Sequence, residues 1–331
     1  MIISRTPYRV SLLGGGSDLP IYFKKNGGEV IGFSINQYSY IFLKKTSQIL
    51  DYKYRIIYSK EEVTNKLKKI FHPSVREVLK YYNYNSGIEL SHSGDLPALS
   101  GIGSSSCFTV GLINIIQTIQ KKFFNKYSIA ADAIDIEQNK IKESVGSQDQ
   151  VFAAYGGINR IKFKKNGDFK IISLNLKKKN LKLLEQSSIL VFTGKVRIAA
   201  LIEKKKIFSI KSSLGKQSDV EKLKTMVNEG FEILNQTNLN IKDLGELLNR
   251  SWKIKQNLTD EITNQQLDNL YETGINLGAY GGKLLGAGGG GFFYFLLPLS
   301  KRENFKKKIG YKTIDIGVDF TGSKIIFNQS N

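Results

Sequence analysis

The apolar positions first fall in strand-like runs over residues 2–13, 30–33 and 38–43, separated by Gly14-Gly15-Gly16 and Gly27-Gly28. Ser59-x-x-Glu62 reads as a capping box opening a helix, with Val63, Leu67, Ile70 and Phe71 at helical spacing. Pro73 breaks that pattern before a second helical piece ending near Tyr82. A short strand over 88–90 leads into a loop at 93–106. Phe108, Val110, Leu112, Ile113, Ile115, Ile116 and Ile119 then describe a largely buried helix. Another helix is predicted over 128–143, and strand character resumes at 156–161. The second half opens on an apolar strand at 188–193, continues through helical stretches at 217–235, 240–256 and 260–278, and closes with strands near 291–297, 311–318 and 324–327. The pattern predicts an α+β fold, mixed α/β in two domains, divided in the Lys-rich segment 177–185 into residues 1–183 and 184–331.

Composition changes this picture little. The 331 residues, 41% of them apolar, suffice for two sizeable cores. No run approaches the 18 apolar residues of a membrane span, and the first residues lack the pattern of a signal peptide. The single cysteine, Cys107, excludes an internal disulfide and fits a reducing cytoplasm. Charge is the loudest feature, with 49 Lys and Arg against 29 Asp and Glu. Only eight of those cations are Arg, and the lysines come in short scattered runs without interleaved aromatics. That pattern suits solvated surface charge better than a nucleic-acid footprint, while still favouring anionic small molecules.

Candidate chemistry gathers at three glycine-rich elements and two carboxylates. Pro97-Ala98-Leu99-Ser100-Gly101-Ile102-Gly103-Ser104-Ser105-Ser106 lies between a strand and a strongly predicted helix. Glycines there allow close backbone approach to an anion, and first-turn N–H groups and hydroxyls would face it. No Walker sequence occurs, and an isolated Gly/Ser turn with a helix cap would look alike. Glu137 sits in an apolar stripe with Ile134 and Ile141, where a buried carboxylate needs a partner such as a divalent cation. Asp149, in Gly146-Ser147-Gln148-Asp149-Gln150, could reach a substrate hydroxyl as a general base from a glycine-flanked turn; taken alone, the two carboxylates read equally as a helix-surface Glu and a turn-capping Asp. Gly281 to Gly291 carries seven glycines ahead of an aromatic strand, suggesting a loop pressed against a phosphate or against the first loop, unless it is a flexible hairpin tip. Near the N-terminus, Arg9 would neutralise charge, and Gly15, Gly16, Ser17 and Asp18 form a turn suited to a polyol.

Pro7-x-Arg9-Val10-x-Leu12-x-Gly14-x-x-Ser17-Asp18, Pro97-x-x-x-Gly101-Ile102-Gly103-Ser104-Ser105 and Gly286-Ala287-Gly288-Gly289-Gly290 follow in the order of the three motifs of the GHMP kinases. The sequence resembles that family over essentially its whole length, most of all its branch acting on D-glycero-D-manno-heptose 7-phosphate. The resemblance implies an N-terminal domain like the second domain of ribosomal protein S5, a C-terminal ferredoxin-like domain, and an active site between them. It implies ATP as donor, with Pro97 and the loop from Ser100 to Ser106 around its phosphates. Mg²⁺ would be held by Ser105 and Glu137, and Asp149 would be the base with Arg9 beside it. Gly15, Gly16, Ser17, Asp18, Gly288 and Gly289 would bind the sugar. Lys195 and Arg197 are candidates for a remote phosphate on the acceptor. Ile102 stands where Leu is usual, and Ser106-Cys107 where relatives carry small Ala residues. Gly15-Gly16 replaces the Glu-His of galactokinase, which argues against galactose.

The expectation is therefore a cytoplasmic sugar 1-kinase making a 1,7-bisphosphate for nucleotide-activated heptose in capsule, lipopolysaccharide or S-layer synthesis. Its partners would be ATP and a sugar phosphate, with neither nucleic acid nor membrane; monomer and homodimer stay open. Three competitors are an anomeric kinase of another sugar such as L-fucose, a basic nucleic-acid-binding protein, and a catalytically dead sugar sensor. Steeply salt-dependent RNA binding would favour the second. Intact Arg9, Glu137 and Asp149 speak against the third.

Overall fold

The computed structural model describes residues 1–121, 124–196 and 199–329, so Arg197 lies outside the described residues. The strands are β1 (Ile2–Leu13), β2 (Gly28–Lys45), β3 (Tyr54–Ile57), β4 (Glu61–Thr64), β5 (Ile88–Gly94), β6 (Ile158–Phe163), β7 (Phe169–Leu174), β8 (Ser188–Phe192), β9 (Gly281–Leu284), β10 (Phe292–Leu296), β11 (Thr313–Asp315) and β12 (Lys324–Asn328). They form an eight-stranded sheet along β12-β1-β2-β5-β3-β4, with β6 and β7 hung on β2, and a four-stranded sheet ordered β11-β8-β10-β9. All pairs are antiparallel except β3 with β5.

The two runs expected at 30–33 and 38–43 are one strand. β2 pairs with β6 through Gly28–Phe33 and with β5 through Ser39–Lys45, so its halves serve different neighbours. The helix expected from the Ser59 capping box is absent; β3 and β4 form a hairpin there. Glu62 still caps, but across the hairpin, accepting from Phe71 N at 2.5 Å and His72 N at 2.8 Å ahead of the next helix.

The helices are α1 (Pro20–Asn26), α2 (Pro73–Tyr81), α3 (Ser104–Ile119), α4 (Lys126–Asp135), α5 (Gln148–Tyr155), α6 (Lys178–Ser187), α7 (Ala199–Ser212), α8 (Leu214–Asn235), α9 (Ile241–Gln256), α10 (Gln265–Asn276) and α11 (Arg302–Lys308). Apolar α3 packs on β1 and β2, α5 lies on β1, and α9 lies on β9 and β10. The Lys-rich stretch between the sheets is helix α6, and β12 returns to the edge of β1. Among the described residues, no helix is long and apolar enough to cross a membrane. This is the expected two-domain α+β architecture.

Candidate active site

The N-terminus of α3 has no side-chain cap, because its cap position is Gly103 in the left-handed region at φ 80°. Unpaired first-turn N–H groups and the helix dipole make such an end a natural anion receiver. The preceding loop closes on itself: Ser100 Oγ donates to Pro97 O at 2.6 Å, and Leu99 N donates to Ser104 Oγ at 3.3 Å. Ile102 is fully buried and anchors the loop in the core, whereas Ser105 is exposed.

The second glycine-rich element is half strand. Gly281 to Leu284 are β9 and buried, paired with β10, and only the residues beyond form a loop. That loop touches the first one. A Cβ on Gly286, whose φ is +68°, would stand 2.5 Å from Gly101 Cα. Neither residue has room for a side chain, so the two loops meet backbone to backbone. Gly288 and Gly289 pack on Ile262, with Gly289 N donating to Ile262 O at 2.9 Å.

Arg9, on β1, reaches this junction. Its Nε and Nη2 donate to Asp149 Oδ1 and Oδ2 at 2.8 and 2.7 Å, and its Nη1 donates to Gly101 O at 2.5 Å. Such a fork fixes a carboxylate in distance and in plane. Asp149 is not in a turn: it is the second residue of α5, where the helix dipole favours an anion. Its side chain keeps 24% exposure, against 5% for Arg9. A Cβ on Gly103 would lie 3.3 Å from Asp149 Oδ2, so the carboxylate borders the anion-receiving loop.

Glu137 sits in a different environment. The helix expected over 128–143 is α4 followed by a π-helical turn, Ile136–Lys140, which carries Glu137 inward and leaves it fully buried. Ser106 Oγ and Gln150 Nε2 donate to its Oε2, at 2.9 and 2.5 Å, while its Oε1 has no hydrogen-bond partner among the described residues. Burial, then the nearby Glu143, push this carboxyl up to about 7. The structure brings Ser106, not Ser105, to Glu137. Among the described residues no cluster of three His, Cys, Asp or Glu could hold a metal alone. A bare buried carboxylate oxygen beside a loop and helix end suited to an anion nevertheless fits a hard divalent cation that would take its other ligands from elsewhere.

Asp18 is buried, accepting from Gly16 N and Gln148 Nε2, both at 2.9 Å, and burial raises its pKa. The Ser17 hydroxyl is spent on the turn: its one proton has Gly14 O and Glu29 O as acceptors, each 2.8 Å away, and its oxygen accepts from Glu29 N at 2.9 Å. Gly15 is half-buried beside them. Lys195 is exposed and donates to Gln266 Oε1 at 2.9 Å, while its carbonyl receives Gly291 N. Sequence reasoning missed the inner face of α7, where Glu203 and Lys206 pair at 2.6 Å in the field of Asp18. It also missed Gln150 as the partner of Glu137, and the buried Lys255 and Lys283.

Two family models match the chain: the GHMP kinases N terminal domain over residues 65–157 and the GHMP kinases C terminal domain over residues 235–313. D-glycero-alpha-D-manno-heptose 7-phosphate kinase of Campylobacter jejuni is 28% identical, covering 93% of each chain. Galactokinase of Pyrococcus furiosus is 25% identical, covering 91% of this chain and 90% of its own. Among solved structures, a D-glycero-D-manno-heptose 1-phosphate kinase from Bacteriodes thetaiotaomicron superposes over 100% of both chains, with a TM-score of 0.79 at 20% identity.

Proposed function

Since the chain belongs to the GHMP kinases, we propose that it moves the γ-phosphoryl group of ATP onto the anomeric hydroxyl of D-glycero-D-manno-heptose 7-phosphate. That it is a phosphotransferase acting on a sugar follows from the family and its relatives. The acceptor is the finer part of the reading, and its main support is likeness to the Campylobacter kinase along nearly the whole chain.

The observation that carries the mechanism is the Asp149–Arg9–Gly101 chain of hydrogen bonds. It locks the candidate base to the loop that would cradle the phosphates, so acceptor and donor are positioned by one rigid unit. Asp149 takes the acceptor hydroxyl proton as the new O–P bond forms, and Arg9 neutralises charge beside it. The N–H groups of Ser104, Ser105 and Ser106 hold phosphate oxygens, with Pro97, Ser100, Ile102 and Gly103 shaping the loop. Glu137 would hold Mg²⁺ without Ser105, whose exposed side chain is not brought to it, and the ion's positive charge would offset that of the phosphates. Ser106 and Gln150 keep Glu137 Oε1 turned free for it. Asp18, with Gly15 and Gly16, binds sugar hydroxyls, and a cytoplasmic location completes the reading. A panel of sugars and sugar 7-phosphates, with ADP release as readout, tests the acceptor. Turnover should be greatest on heptose 7-phosphate; preference for L-fucose or for unphosphorylated heptose would overturn it.

A further inference from the structure

Four cations are buried around the junction of the two glycine-rich loops: Arg9, Lys206, Lys255 and Lys283. Two of them are matched. Arg9 is forked to Asp149, and Lys206 pairs with Glu203. The other two have no carboxylate within 4.0 Å among the described residues. Lys283 Nζ, reaching from β9, donates to Leu12 O at 2.8 Å, at the end of β1 just before the Gly14 turn. Lys255 Nζ, from α9, donates to Leu284 O at 2.8 Å and Gly286 O at 2.7 Å, on the segment that abuts Gly101. Asp18 is the nearest acidic influence on Lys283, and it is satisfied by Gly16 and Gln148 instead.

Carbonyl oxygens, joined for Lys255 by the Trp252 ring 5.8 Å from its Nζ, do not neutralise a buried ammonium. An apolar side chain would fill either place more cheaply. Two such lysines, one tied to the strand that ends in the acceptor turn and one to the loop pressed on Gly101, leave positive charge waiting at one spot. Burial and the other cations hold both ammonium groups below their usual range, as expected where the balancing anion is missing.

We propose that Lys255 and Lys283 supply the receiving charge for a phosphate dianion at this junction, so that the closed site is electrostatically complete only with phosphate bound. The proposal rests on the kinase reading above and names what the site recognises beyond Asp149, Arg9 and the α3 N-terminus. The dianion has two sources: the γ-phosphate of the donor, or the phosphate carried by the acceptor.

The test is Lys283→Met in the full chain, because the Lys283 side chain makes a single hydrogen bond among the described residues; Lys255→Met is read in the same way should the first variant fail to fold. Calorimetric titration with a non-hydrolysable ATP analogue, ADP, heptose 7-phosphate and unphosphorylated heptose is combined with thermal melting. Affinity should fall at least ~10-fold for the ATP analogue but not ADP, or for heptose 7-phosphate but not heptose, which identifies the source. The melting temperature should hold or rise, because an uncompensated charge has been removed. A lower melting temperature with all four affinities unchanged, an equal loss for all four ligands, or failure of both variants to fold would make these lysines structural staples and overturn the proposal. Wild-type protein that binds none of the four would sink the kinase reading itself.

Discussion

Asp149 and Glu137 are two carboxylates beside one loop, one near Gly103 and the other bonded to Ser106, and they are built in opposite ways. Asp149 keeps partial contact with solvent, and both its oxygens are engaged by a single guanidinium. Glu137 has no solvent contact, and its two donors crowd onto one oxygen, leaving the other bare. The first arrangement fixes a group in space and leaves it reachable from solvent. The second leaves one buried oxygen open, as the proposed cation site requires. Chemistry that is alike in sequence thus divides by burial and by how donors are shared between two oxygens.

If that division is correct, the two carboxylates should fail differently. Asp149→Asn should lower kcat at least ~10²-fold while leaving the Mg²⁺ concentration for half-maximal rate unchanged. Steady-state kinetics across a Mg²⁺ series checks this, and near-normal turnover would remove Asp149 from proton transfer. Gly286→Ala strikes the scaffold both groups share. A Cβ 2.5 Å from Gly101 Cα, at φ +68°, should cost about 2–3 kcal/mol of stability and shift kcat and nucleotide affinity together. Denaturant melts and ATP-analogue titration would show it.

Glu137→Gln should reverse the Asp149 pattern, raising the Mg²⁺ requirement ~10-fold with a smaller loss of kcat at saturating metal. The same Mg²⁺ series applies, and an unchanged requirement would deny Glu137 its role. The smallest effect concerns the packing behind α3, where His72 stacks on Phe108 with ring centroids 4.4 Å apart. Burial lowers the His72 pKa to about 4 from 6.5. The unfolded chain therefore binds more protons between those values, so this contribution is present above pH 6.5 and is lost as pH falls toward 4. About 1 kcal/mol should disappear between pH 6.5 and 5.5 in urea melts, less in His72→Phe. Neither carboxylate's kinetic signature should move with that substitution.

How much of this was legible beforehand depended on where each partner lies in the chain. Arg9, Asp149 and the loop from Pro97 to Ser106 stand in compact motifs, and the apolar runs of β1, α3 and α8 speak for themselves. Glu137 was visible as a charge in an apolar stripe, although the π-helical turn that presents it was not. Gln150, Lys255 and Lys283 act on atoms 13 to 271 residues away, so no local pattern announces them. Gly281 and Gly282 looked like loop because glycine carries no strand signal, yet both are buried in β9 against Phe295 and Leu296. α7 was missed for a related reason: its inward face mixes Ile202 and Ile210 with Glu203 and Lys206, which blurs the helical stripe.

The reading as a whole stands on where the phosphate goes. Purified protein incubated with ATP, Mg²⁺ and D-glycero-D-manno-heptose 7-phosphate should give ADP and a sugar bearing a second phosphate on C1, seen in the ³¹P NMR spectrum as a new resonance coupled to the anomeric proton. No new sugar phosphate, or a phosphate on any other carbon, would contradict it.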